Sequence, residues 1–451
     1  MRWTAAAVNA ALGLSGEVSD AEFASVSTDT RTLEPGALFV ALAGERHDGH
    51  KHLEAARDAG ARAAIVRRGT PQMVGLPLIE VDDTLRAYGD LAHARRKEIS
   101  GPVVAITGTN GKTSTKEMVA AVLRTRFRTH ATRLNYNNLV GVPLTILEAP
   151  DDTEALVIEA GANMPGEIAR YREIVEPTIA MITNVAEGHL EGFGSLEGVL
   201  AEKLALVRDV PLAIVGTEPP ALPERARQLA RREVTAGAQH AERKARDIEI
   251  DAEGKASFTA GGQRIHLPLP GRHLASNAML AWTVVEELGL DPQSAALALD
   301  GLQLPGGRSE VIQRNGFTIL NDCYNANPQS FASAIATAKA MRQDRCLVFV
   351  AGTMRELGPA AQRLHAQVAE QLVLLKPDLL AAVGDFVPAL EPYRAALGDR
   401  LITASDPLAL APLLAERLKG GELLVLKASR GVALERILPL LIPRTVSADE
   451  G

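Results

Sequence analysis

The residues with the most direct chemical consequence are Thr107-Gly-Thr-Asn-Gly-Lys-Thr-Ser-Thr115. An apolar segment, Val103-Val-Ala-Ile-Thr107, leads into them, and Lys116-Glu-Met-Val-Ala-Ala-Val-Leu-Arg124 continues with a helical pattern. Strand, glycine loop and helix in that order are the setting a phosphate loop requires. Gly108 and Gly111 let the backbone curl so that its N–H groups face phosphate oxygens, and the new helix adds the positive end of its dipole. Lys112 brings a mobile cation to the β- and γ-phosphates, and Thr113 brings a hydroxyl to Mg²⁺. The spacing, Gly-x-x-Gly-Lys-Thr, is two residues shorter than the usual form of this loop. A chance glycine-rich turn would lack both the strand before it and the Lys-Thr pair after it. Thr107, Gly108, Thr109, Asn110, Gly111, Lys112 and Thr113 are therefore expected to hold ATP. Kinase, ATPase and ligase all remain open on these residues alone.

Other chemistry-bearing side chains follow at strand ends. Glu159 closes the apolar run Ala155-Leu-Val-Ile-Glu159, and a carboxylate at a strand end beside a phosphate loop is a natural Mg²⁺ ligand. His189 sits in the glycine-rich segment Thr183-Asn-Val-Ala-Glu-Gly-His-Leu-Glu-Gly-Phe-Gly-Ser195, where a packing role is not the obvious one. The expected metal ligands are Thr113, Glu159 and His189. Lys203, in Leu200-Ala-Glu-Lys-Leu-Ala-Leu206, reads on its own as an ordinary helix lysine.

These residues need a scaffold that gathers strand ends. Short apolar runs recur at 103–107, 155–159, 179–184, 212–216, 346–352, 379–384 and 423–427, separated by helical stretches. Continuous apolar strands read as buried on both faces, which implies parallel sheets covered by helices and an α/β class. Ligands in such folds lie at the carboxyl ends of the strands. The 451 residues suggest about three domains. The expected divisions are 1–83, a small mixed α/β domain; 84–308, a central parallel-sheet domain with the phosphate loop; and 309–451, a Rossmann-like domain. Two antiparallel excursions are expected, around Gly254 and at Arg314-Asn-Gly316. Leu304-Pro-Gly-Gly-Arg308 reads as a linker.

Composition excludes several classes. There are 48 basic and 55 acidic residues, a net charge of −7, which makes a poor general binder of nucleic acid. No run approaches the ~18 apolar residues of a membrane span, so no membrane partner is expected. The opening residues, from Arg2 through Thr4 to Leu14, read as an amphipathic helix better than as a signal peptide. Cys323 and Cys346 make no disulfide framework, which suits a reducing cytoplasm.

Several segments together resemble the Mur ligases, which join amino acids or peptides to a UDP-linked muramic acid. They are Gly108–Thr115, Asn137-Asn-Leu-Val-Gly-Val-Pro-Leu-Thr145, Glu159-Ala-Gly161 and His189. Gly271-Arg-His-Leu-Ala-Ser-Asn277 is similar to the family's adenine-contacting segment, Arg308 to its nucleotide arginine, and Lys427-Ala-Ser-Arg430 with Glu435 to its Lys-Gly-Ser-Arg segment. Asn321-Asp-Cys-Tyr-Asn-Ala-Asn-Pro-Gln-Ser330 and Met354-Arg-Glu-Leu-Gly358 are similar to the branch that adds a D-alanyl-D-alanine dipeptide. Ser25–Arg31 and Gly44–His50 resemble its UDP-sugar domain. Leu274, Ala428 and Thr353 depart from the family pattern.

The resemblance implies an acyl-phosphate ligase that takes ATP, Mg²⁺, a UDP-N-acetylmuramoyl-tripeptide and D-alanyl-D-alanine, acting as a cytoplasmic monomer. It places Lys112, Glu159, His189 and a carbamoylated Lys203 in the catalytic centre. Asn277, Arg308, Asp322 and Asn325 join the ATP contacts. Ser27, Arg31, Asp48, Asn137, Asn327, Lys427 and Arg430 face the substrates. The first domain would hold the UDP-sugar, the second ATP and the third the dipeptide. A folylpolyglutamate-type ligase is the nearest rival, but its phosphate loop lies much nearer the N-terminus. A plain phosphate-loop ATPase would need no extension of this length past the loop. Lys112→Ala is expected to lower turnover by at least roughly a thousandfold with an unchanged thermal melt; wild-type phosphate release in that variant would refute the loop assignment.

Overall fold

The computed structural model describes residues 3–15, 20–44 and 47–441. Arg2, and Glu45 and Arg46 of the segment matched to the UDP-sugar domain, lie outside them. The chain forms two compact units. One comprises Met1–Ala105, Phe127–Ala162 and Gly166–Thr178; the other comprises Ile106–Arg126, Asn163–Pro165 and Ile179–Gly451.

In the first unit, Thr4 caps the N-terminus of helix Ala5–Leu12 and Gly13, in the left-handed region, ends it. Four strands, Val26–Ser27, Leu38–Val40, Ala63–Arg67 and Leu78–Val81, then pair in parallel in that order. The two central ones are almost wholly apolar and buried, so both faces must be covered. Trp3, Val8, Leu38, Val40, Ile65, Tyr88 and Leu91 fill one face, and Phe39, Leu53, Ala56, Ala64 and Val66 the other. Helix Thr84–Arg96, capped by Asp83, supplies Tyr88 and Leu91. Strands Thr129–Ala131 and Ala155–Glu159 pair in parallel in the same unit.

The strand Val103–Thr107 carries the chain from one unit into the other. Its residues are buried throughout, as the apolar run requires. In the second unit, strands Ile179–Ile182, Leu212–Val215, Glu233–Gly237 and Arg243–Lys244 pair in parallel one after another. Thr107 joins them through the Thr183 N–H to Thr107 carbonyl bond at 3.0 Å.

A three-stranded antiparallel sheet follows, Arg246–Ile250, Lys255–Ala260 and Gln263–Pro270, with Gly254 at φ +79° in its first turn. Helix His273–Leu288 comes next and stops at Gly289, again left-handed. The last sheet has the order Glu310–Arg314, Phe317–Asp322, Leu423–Lys427, Leu347–Ala351, Leu379–Val383, Leu401–Ala404. Only the first pair is antiparallel. Its turn is Asn315-Gly316 at φ +52° and +81°, the double positive φ that Asn-Gly accepts most readily. Register brings Asp322 and Ala351 both opposite Lys427, so three strand ends meet at one place. The expected α/β class and both expected hairpins are thus present. Both cysteines are free thiols, and burial pushes that of Cys323 well above its usual range. Among the described residues no helix is long and apolar enough to cross a membrane.

Candidate functional site

The phosphate loop is held open by its neighbours. Gly108 has φ +145°, and a Cβ there would collide with the Thr183 hydroxyl. Gly111, at φ +79°, would place a Cβ 2.7 Å from Asn277 Oδ1. Both positions therefore demand glycine on two grounds, backbone conformation and space. Helix Lys112–Arg124 starts directly after Gly111, which sets the positive end of its dipole at the loop. It stays docked because Met118, Val119, Val122 and Leu123 are buried on one face. Thr113 is buried in the first turn. The Lys112 ammonium donates to the carbonyls of Gly108 (2.8 Å) and Thr109 (3.1 Å). Thr109 closes the loop against the next strand end, accepting from the Ala186 N–H at 3.0 Å.

Beside the loop lies a cavity of about 470 Å³. Asn110, Gly111 and Asn277 line it, as expected for a nucleotide pocket, but most of its wall went unpredicted. Gly216-Thr217-Glu218 follow strand Leu212–Val215, and Ala236–His240 make up the end of strand Glu233–Gly237 and the residues just after it. The rule that ligands sit at carboxyl ends of parallel strands could have found them. His273 lines the cavity too, and its low-dielectric surroundings push the imidazole below its ordinary value, against a smaller opposing effect of Asp322.

Around the last sheet, Lys427 is buried and donates to Asp322 Oδ2 (2.6 Å) and to the Asn325 carbonyl (2.7 Å). Asp322 also accepts from the Ser309 N–H at 3.1 Å. The Arg308 guanidinium stacks on Tyr324, 3.4 Å from the ring centroid, and that of Arg430 lies 5.7 Å from the same ring. Asn327 caps helix Pro328–Arg342 in a reciprocal capping box with Ser330, and its amide meets that of Asn110.

His189 occupies the left-handed region and its Nδ1 hydrogen-bonds Glu356. That bond holds the Glu356 carboxyl below its usual range although burial opposes it. Two segments singled out separately in the sequence, around His189 and Met354–Gly358, therefore touch. Lys203 is only 1% exposed, on a helix whose N-cap is Ser195, with Nζ 5.6 Å from the Phe193 ring centroid. It is not the surface lysine that its neighbours in sequence suggest.

In the first unit, Glu159 is buried at its strand end, with Oε1 accepting from Asn137 Nδ2 at 2.9 Å. Ser27 makes a local turn with Asp29, and Arg31 pairs with Asp29 at 2.6 Å. Asp48 hydrogen-bonds His50 Nδ1 at 2.7 Å, while His50 Nε2 accepts from the Arg67 N–H at 3.0 Å. Among the described residues no three His, Cys, Asp or Glu side chains form a metal cage. Mg²⁺ needs none, since it commonly takes one or two protein oxygens with substrate phosphates and water.

Known proteins resemble the chain over most of its length. Residues 22–96 match the model of the Mur ligase family catalytic domain, 106–285 the Mur ligase middle domain, and 307–430 the glutamate ligase domain. The chain is 36% identical to the UDP-N-acetylmuramoyl-tripeptide–D-alanyl-D-alanine ligase of Bacillus subtilis, with 94% of each chain covered. Among solved structures, MurF from Acinetobacter baumannii superposes with a TM-score of 0.89 at 29% identity, covering 98% of this chain and 99% of that one. MurF ligase from Thermotoga maritima in complex with ADP gives 0.82 at 27%, covering 92% and 96%.

The depressed His273 imidazole predicts a pH dependence. A group whose folded pKa lies below its unfolded value of 6.5 binds its proton first in the unfolded chain. Stability is then full above that pH and falls as acid is added, by at most about 1.4 kcal/mol per pH unit. Asp322 and Lys427 face the same imidazole and act in opposite directions. His273→Gln should flatten the melting temperature between pH 7 and 5 relative to the unmodified chain; parallel curves would refute it.

Proposed function

The chain belongs to the Mur ligase family, and on that premise we propose that it is the ATP-dependent ligase that adds D-alanyl-D-alanine to UDP-N-acetylmuramoyl-tripeptide, completing the pentapeptide precursor of peptidoglycan. The observation that carries the chemistry is the open phosphate loop beside a cavity, with Lys112 resting on two loop carbonyls. We assign residues 1–83 to the UDP-sugar, 84–308 to ATP and 309–451 to the dipeptide, in a cytoplasmic monomer.

The acceptor's terminal carboxylate oxygen attacks the γ-phosphorus, the bond to the bridging oxygen breaks, and ADP leaves with those electrons. The acyl phosphate then takes the dipeptide's amine at its carbonyl carbon, inorganic phosphate departs, and the nitrogen sheds its proton. The first step gathers negative charge in a small volume, where fixed donors are worth most. Lys112 exchanges neutral carbonyls for phosphate oxygens, a stronger charge-assisted pairing. The N–H groups at the start of helix Lys112–Arg124 receive the phosphate chain. His273, kept neutral, and Asn277 meet the base.

Thr113, Glu159 and His189 are oxygen and nitrogen donors suited to Mg²⁺, which when bound neutralises charge on the phosphates. Asn137 orients Glu159 for that task, as Glu356 orients His189. A carbamate on Lys203 would turn a buried cation into an anion able to serve the same ion. Asp322 and Asn325, held by Lys427, belong to the nucleotide side, with Arg308 stacked on Tyr324. Arg430, exposed, offers its guanidinium to the dipeptide carboxylate, and Asn327 is assigned to the same substrate. Ser27, Arg31 and Asp48 contact the UDP-sugar.

Phosphate release should require ATP, Mg²⁺, the UDP-muramoyl tripeptide and D-alanyl-D-alanine together, with mass detection showing the acceptor extended by two residues. Extension by one residue would move the chain to a sister ligase, and hydrolysis without acceptor would favour a plain ATPase. Lys203→Ala should lose at least roughly a hundredfold in rate and recover in part with added short carboxylic acids. Full activity without them would sink the carbamate.

A further inference from the structure

Gln329 takes no part in the chemistry above, yet it bridges two walls of the cavity. Its side-chain oxygen accepts from Asn110 Nδ2 at 2.7 Å, and its Nε2 donates to Glu218 Oε2 at 2.6 Å. Asn327 exchanges two further bonds with Asn110, at 3.2 and 2.7 Å. The Asn110 amide is thus committed to residues 217 and 219 positions later. Its backbone is held from the opposite side. The Asn110 carbonyl accepts from Thr183 Oγ1 (2.6 Å) and Asn184 Nδ2 (3.1 Å), and its N–H donates to Asn184 Oδ1 (3.1 Å).

Of the two residues between the loop glycines, Asn110 is therefore bonded at every polar atom. A loop flanked by Gly108 and Gly111 would otherwise sample many conformations, and few of them present N–H groups to phosphate. Ordering such a loop at the moment of binding weakens affinity, whereas a loop already ordered binds more tightly. Here part of that order comes from Asn327 and Gln329, at the start of helix Pro328–Arg342.

We propose that Gln329 is a positioning residue that makes nucleotide affinity depend on the docking of the Asn327–Gln329 segment against the phosphate loop. The proposal rests on the reading of the cavity as the ATP site. Coupling of this kind is reciprocal, so bound nucleotide in turn holds the start of helix Pro328–Arg342. The helix cap is the Asn327–Ser330 pair, so Gln329→Ala removes the bridge and leaves the cap intact.

The test is equilibrium titration of the full chain with a fluorescent, non-hydrolysable ATP analogue and Mg²⁺, without acceptor or dipeptide. Q329A should bind roughly 5- to 30-fold more weakly, with a raised KM for ATP and a nearly unchanged kcat at saturation. Hydrogen exchange over residues 323–335 should slow when the analogue binds the unmodified chain, and slow less in Q329A. Q329E sets a carboxylate against Glu218 and should weaken binding at least as much. The exchange E218Q/Q329E restores one donor and one acceptor to the bridge and should recover affinity. Unchanged analogue binding in Q329A, or no recovery in the exchanged pair, would overturn the proposal while leaving the ATP reading in place. An unmodified chain that binds no analogue would overturn both.

Discussion

The rest of this structure depends on holding one short glycine loop in a single shape at the end of a fully buried strand. The Thr109 N–H donates to the Asn184 carbonyl at 2.9 Å and the Asn110 N–H to Asn184 Oδ1 at 3.1 Å, so the loop backbone is tied to the segment that passes beside it. Strand Val103–Thr107 fixes where the loop starts and helix Lys112–Arg124 fixes where it ends. The Thr183 side chain fills the space a Cβ on Gly108 would need, and Asn277 does the same at Gly111. Thr183 and Asn277 come from a strand end and a helix that arrive much later in the chain. The loop's shape is thus a tertiary property, although its sequence is local.

Parallel register does the equivalent work in the last sheet. Asp322, Ala351 and Lys427 end three neighbouring strands at one level, so the segments that follow them emerge side by side. Arg355 N–H donates to Ser429 Oγ at 2.9 Å, linking two of these segments directly. The His365 ring fixes the same loop, since its Nε2 accepts from the Met354 N–H at 2.9 Å. Glu356 is carried on that loop to His189. A one-residue slip in either parallel pair would displace this whole set.

How much of this was legible follows from what each feature is made of. Apolar runs that need burial on both faces announced the parallel strands. Asn315-Gly316 announced its hairpin because few other pairs accept two positive φ values. The phosphate loop was legible because glycine, lysine and threonine at fixed spacing have few other uses. The cavity wall was not: Gly216, Ala236 and Gly237 contribute shape and carry no reactive group. The His189–Glu356 bond spans 167 positions, and nothing local to either residue names the other. Lys203 read as a surface residue because one-dimensional neighbours report helix propensity rather than depth; its burial is decided by how the helix after Ser195 packs.

The two lysines near strand ends show how partner chemistry sorts cations that the sequence presents alike. Lys427 is buried against a carboxylate and a carbonyl, and taking one member from a buried ion pair leaves an uncompensated charge. Its partners hold it in place, and it acts by ordering Asp322 through Asn325. Lys112 is less buried and rests on carbonyls of its own loop. Carbonyls carry partial charge only, so an arriving phosphate offers that ammonium a better partner at little local cost. The same difference explains why the chain can carry a net charge of −7 and still receive a triphosphate. What an anion meets is the local cation able to change partners, set at the positive end of helix Lys112–Arg124, rather than the sum over the surface.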